Sequence, residues 1–118
     1  MSITKLRIHI APVGFEIDRV VLSAKMAKAD KVWLLVHDNP SEDKATPFID
    51  KITKLLKKEK IQVEPFRANR TDLFQIIKAV KEIIEKERGN DIYVNVASGS
   101  KIQAIACMMA CMMFNDRK

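Results

Sequence analysis

Apolar positions along this chain change their spacing in a regular way. Leu6–Pro12 is a short run rich in β-branched residues that stops at the turn signal Pro12-Val13-Gly14, which predicts a first strand. Ile17, Val20, Val21, Ala24 and Ala27 then recur at helical spacing and predict a helix to about Ala29. Lys31–Val36 is almost continuously apolar, as a strand buried on both faces should be, and His37-Asp38-Asn39-Pro40 ends it as a turn. Phe48, Ile52, Leu55 and Leu56 make the stripe of a second helix. Ile61–Phe66 reads as a third strand, shorter and more polar, and therefore nearer an edge. Asn69 and Thr71 offer N-caps to a third helix, with Asp72 in its first turn. Its stripe is Leu73, Ile76, Ile77, Val80, Ile83 and Ile84, and Arg88-Gly89 closes it. Asp91–Val96 is a fourth strand, and a fourth helix runs from Ser98 onward.

Strict β-α-β-α-β-α-β-α alternation predicts an α/β, Rossmann-like parallel sheet with right-handed crossovers and helices on both faces. The economical strand order is 3-2-1-4. Its switch point then lies between strands 1 and 4, and ligands bind outside the carboxyl ends of strands at such a point. The last helix is anomalous: from Ile102 to Phe114 its only clearly polar residue is Gln103. One face can pack on the sheet, but the other needs cover, from a second copy or from more of a longer protein.

Composition narrows the reading. A chain of 118 residues is expected to be one domain, spanning 1–118. With one Trp, one Tyr and five Phe, the core must rest on aliphatic residues and Met. The net charge of +6 favours an anionic partner without naming it. Part of that surplus is Lys51, Lys54, Lys57, Lys58 and Lys60, the solvated face of one helix. They lack interleaved aromatics and a recognition-helix pattern, which argues against direct DNA reading by this chain. Cys107 and Cys111, four apart on a helix, read as small packing residues in a reducing cytoplasm. No third thiol or histidine completes a metal site, no cofactor motif stands out, and the longest apolar run is too interrupted to span a bilayer.

Two loops could carry chemistry. Asn95-Val96-Ala97-Ser98-Gly99-Ser100-Lys101 leaves strand 4 and enters helix 4. Small residues there let backbone N–H groups approach a ligand, and a helix N-terminus attracts phosphate. Ser98 and Ser100 add hydroxyls and Lys101 a full positive charge, although an ordinary serine cap has the same appearance. The GxxxxGK[ST] spacing of a P-loop is absent. The second loop, Ala11–Arg19, places Gly14 in a tight turn and Phe15 where it could stack on a base. A plain βα turn explains it equally well. Glu16 and Asp18 would repel phosphate unless they point away or pair with Arg19. His9 reads as a packed core histidine, and His37 ends strand 2 near the ligand rim.

Together the stretches IHIAPVGFEIDR (Ile8–Arg19) and YVNVASGSKIQAIA (Tyr93–Ala106) resemble the CARF (CRISPR-associated Rossmann-fold) family, in particular the sensor half of archaeal CARF–winged-helix transcriptional regulators. The resemblance implies a CRISPR-associated antiviral sensor that binds a cyclic oligoadenylate across a homodimer axis. Val13, Gly14, Phe15, Arg19 and His37 would line the pocket. Asn95, Ala97, Ser98, Gly99, Ser100 and Lys101 would hold phosphates and riboses. The family's further strands and winged helix are missing from these 118 residues, so a truncation or a reduced stand-alone form is expected. Three functions compete: a sensing module for a fused or partner winged helix, a ring nuclease, and an interaction domain with a vestigial pocket. The nuclease would direct a ribose 2′-hydroxyl at the adjacent phosphate, without metal, using Ser98 or Ser100 with Lys101. No general base stands out, which favours sensing.

Overall fold

The computed structural model describes residues 6–13, 17–36, 46–69, 72–95 and 101–114. Eight elements alternate: β1 (Arg7–Pro12), α1 (Ile17–Met26), β2 (Lys31–Val36), α2 (Thr46–Lys58), β3 (Gln62–Arg67), α3 (Leu73–Lys86), β4 (Asp91–Val94) and α4 (Lys101–Phe114). All pairings are parallel, and the strand order is β3-β2-β1-β4. The expected architecture and order are those observed.

Alternation along β1 explains the two layers. Ala11 and Val13 pack with Val20, Val21 and Ala24 of α1 and with Ile52 and Leu56 of α2. Ile8 and Ile10 face the other way, onto Ile76, Val80 and Ile83 of α3 and onto Ala106, Cys107 and Ala110 of α4. Side chains alternate across a strand, so one sheet serves both cores. Val32, Trp33, Leu34, Leu35 and Val36 of β2 are all buried, as their apolar run predicts.

Several boundaries differ from expectation. β1 begins at Arg7, α1 ends at Met26, and β4 ends at Val94. β3 starts at Gln62 because Ile61 is a buried residue ahead of the ladder, and it is as long as β1 and β2. It is an edge strand, as its polarity suggests. The N-cap of α3 is Asp72, whose side chain accepts from the N–H groups of Phe74 and Gln75. The Gln75 side chain reaches back to the Asn69 N–H, which makes the turn a variant of the capping box. Gly89 has φ +96°, the left-handed conformation that lets the chain leave α3.

At the amino ends of the strands a buried network ties α3 to the sheet. Glu87, 7% exposed, accepts from Trp33 Nε1 at 2.8 Å and pairs with Lys31 at 2.8 Å. Asn90 Nδ2 donates to its other oxygen at 3.1 Å, and Asn90 Oδ1 accepts from the Leu6 N–H. Burial by itself would raise the Glu87 carboxyl pKa. The hydrogen bonds from Lys31, Trp33 and Asn90 and the lysine charge outweigh it and hold the group below its ordinary value.

Candidate ligand-binding site

The carboxyl ends of β1 and β4 part because their following helices leave on opposite faces. α1 packs on one side of the sheet and α4 on the other. This is the switch-point crevice predicted from strand order. Its floor is backbone: the Asn95 N–H donates to the Ile10 carbonyl at 2.8 Å, and the Val13 N–H to the Leu35 carbonyl at 3.0 Å. Asn95 Nδ2 donates to the Arg19 carbonyl at 2.9 Å, joining the end of β4 to α1.

Of the predicted site residues, the structure therefore brings Val13, Arg19 and Asn95 to one rim, and Lys101 begins the described part of α4. Val13 is buried, whereas Arg19 and Lys101 are exposed. The first turn of α4 contains no acidic residue, so nothing there opposes an anion. Gly14, Phe15, Glu16, His37, Ala97, Ser98, Gly99 and Ser100 lie outside the described residues, as does the side chain of Asp18.

A groove that the sequence did not reveal runs down from Asn95 between α1 and β4. It measures about 530 Å³ and is lined by His9, Ser23, Met26, Ala27, Tyr93, Val94 and Asn95. His9 and Tyr93 are register partners in β1 and β4, and their rings stand 5.5 Å apart with a 44° tilt. His9 is 7% exposed, which bears out its reading as a packed residue, and burial lowers its pKa. Its Nε2 is buried without a hydrogen-bond partner among the described residues. Register pairing is the signal that would have joined the two residues in sequence.

The two cysteines are unpaired thiols. Burial first, and the neighbouring Cys111 second, push Cys107 up to about 12, so it is no nucleophile at neutral pH. Among the described residues no three His, Cys, Asp or Glu side chains gather to hold a metal, and no helix is long and apolar enough to cross a membrane.

On the outer side of α4, Ile105, Met108 and Met112 are exposed, with Ile102, Met109 and Met113 beside them. Gln103, the polar residue of that stretch, is buried. The polarity of α4 is thus inverted: it faces apolar side chains outward, as its composition foretold.

A parallel sheet in this order, with its crevice between β1 and β4, is the fold of a CARF domain. The chain belongs to the family described as HFX_2341_N:-like, N-terminal, which it matches over residues 7–118. The Methanocaldococcus jannaschii protein MJ1513 is 34% identical over 113 residues, which are 92% of this chain and 34% of that protein. Can2 from Sulfobacillus thermosulfidooxidans, solved with cyclic tetra-adenylate, superposes with a TM-score of 0.76 at 17% identity, covering 91% of this chain and 29% of Can2. A type III CRISPR defence DNA nuclease activated by cyclic oligoadenylate superposes with a TM-score of 0.70 at 16% identity, covering 92% of this chain and 18% of the nuclease. The chain spans about a third or less of the length of each of these proteins.

Proposed function

We propose that this domain is a sensor that binds a cyclic oligoadenylate at the crevice between β1 and β4. The observation that carries the reading is the meeting of Arg19, Asn95 and Lys101 at that rim, with no acid in the first turn of α4. Unsatisfied N–H groups and a lysine at a helix N-terminus suit phosphate. The fold shared with Can2, which binds cyclic tetra-adenylate, supports that ligand class.

The sensing unit is a homodimer that packs through α4. Lys101, Ile105, Met108 and Met112 follow one another at steps of four, three and four, the spacing of a helix–helix seam. Lys101 ends that seam at the crevice, so pairing two copies would bring two lysines toward one multiply charged ring. The bound state is passed to a winged-helix or other output domain, fused in a longer chain or supplied by a partner.

Calorimetry with cyclic tri-, tetra- and hexa-adenylate, set against linear tetra-adenylate, tests the assignment. Binding of one cyclic form with a stoichiometry of one ring per two chains is expected. Heat-silent titrations with all of the rings would overturn it. Chromatography of the same samples decides the nuclease alternative, since a sensor returns its ligand uncut.

A further inference from the structure

The α1–β4 groove holds a polar atom with nothing to bond. His9 sits mid-strand, 7% exposed, and its Nε2 has no partner among the described residues. An unpaired buried ring nitrogen opposes folding, and a leucine or phenylalanine would fill the same place without that cost. Around it the groove is made for a flat, mainly apolar object. The Tyr93 ring stands on one side, 47% exposed on the edge strand, and the Met26 thioether is 82% exposed on the other. Aromatic faces and methionine sulfur both accommodate planar rings. At about 530 Å³ the groove lies within the roughly 300–1,000 Å³ of small-molecule sites. Its upper end is Asn95, which also forms the rim where the phosphates would lie.

We propose that this groove is a purine subsite, in which one adenine of the anionic ligand lies against Tyr93 and donates an exocyclic amino hydrogen to His9 Nε2. The assignment rests on the sensing function proposed above and adds to it the residues that would select the base. A neutral imidazole with its proton on Nδ1 presents Nε2 as an acceptor, and the adenine amino group is a matching donor. Tyr93 must swing aside for the base to reach Nε2, and a half-exposed side chain on an edge strand can do so. A site built around a buried acceptor rejects an analogue that lacks the donor, because the acceptor is then left unpaired again.

The test has two arms. In the first, adenosine and purine riboside, which lacks the amino group, are titrated at millimolar concentration into the 15N-labelled protein, and the His9 ring nitrogens are observed. Adenosine should shift Nε2 and purine riboside should not. In the second, affinities for cyclic tetra-adenylate and for its amine-free purine analogue are compared in wild type, His9→Leu and Tyr93→Leu. Wild type should prefer the adenylate by about tenfold, the worth of one hydrogen bond, and His9→Leu should abolish the preference. Tyr93→Leu should weaken both ligands alike. Undiminished preference in His9→Leu, or equal His9 shifts with both nucleosides, overturns the subsite. Should the cyclic ligand fail to bind while adenosine still moves Nε2, the oligoadenylate reading falls and the purine subsite stands.

Discussion

Asn95 Nδ2 and the main-chain carbonyl of Arg19 meet at 2.9 Å, so the end of β4 is fastened to α1 across the mouth of the crevice. Asn95 supplies backbone to the floor and side chain to the wall at once. Asn95→Ala should destabilise the domain by about 1 kcal/mol, the usual net worth of one hydrogen bond. Asn95→Asp should cost more, since a carboxylate cannot donate and would face a carbonyl oxygen. Urea denaturation checks the order, and a ranking with Asp milder than Ala would refute the role given to the amide.

The Glu87 network lies at the opposite end of the strands, away from the crevice. Glu87→Ala strands Lys31 and the Trp33 indole N–H in a buried place, and should destabilise by about 3 kcal/mol. Ligand affinity of the folded protein should be unchanged. A variant that loses binding while keeping its stability would contradict this division between the two ends of the sheet.

His9 makes stability depend on pH with a definite sign. Its folded pKa lies below the ordinary 6.5, so between the two values the unfolded chain binds more protons. Stability from this group is complete above 6.5 and declines as the pH falls through the unfolded value toward the folded one. His9→Leu should flatten that segment of the pH profile and raise stability near neutrality by about 1 kcal/mol, because the unpaired nitrogen is gone. Denaturation midpoints measured from pH 7.5 to 5 decide it, an unaltered slope being the adverse result.

The apolar face of α4 predicts assembly. Met108→Lys and Met112→Lys place charges in the proposed seam and should convert a dimer to a monomer, with little effect on folding because both side chains are exposed. Cys107→Lys, by contrast, buries a charge in the core and should prevent folding. Sedimentation showing wild type and both methionine variants at the same monomeric mass would dispose of the seam.

The fold was readable because each layer obeys a local rule. Val32–Val36 is apolar throughout since β2 is covered on both faces, and the α3 stripe repeats at helical spacing. The cap of α3 was misplaced because Asn69, Thr71 and Asp72 are all good caps by type. The glutamine at position 75 separates them, standing three residues after Asp72. The rim residues Val13, Arg19 and Asn95 were legible from topology, which puts the crevice between β1 and β4. The groove below them was not. Its wall joins Ser23 and Met26 to Tyr93, about seventy residues away in sequence, through the packing of a helix beside an edge strand. The orphaned Nε2 of His9 likewise depends on every neighbour at once, and no periodicity encodes it.

Lys101 bears the largest share of the proposed binding. It opens the described part of α4 and is exposed, with no acidic residue in the same turn. A cation at a helix N-terminus is mildly unfavourable against the helix dipole, by roughly 0.3–1 kcal/mol. Lys101→Ala should accordingly leave the fold intact or make it slightly more stable. If the lysine meets a phosphate, the same change should weaken binding by about 1–3 kcal/mol, the range of a charge-assisted hydrogen bond. It should also flatten the fall of affinity with added salt, because one ionic contact is lost. Lys101→Arg, which keeps the charge, should retain most of the affinity. Calorimetry at two salt concentrations on the wild type and both variants separates the cases. An alanine variant that binds as tightly as wild type and with the same salt response would make Lys101 a plain surface residue and move the phosphates elsewhere.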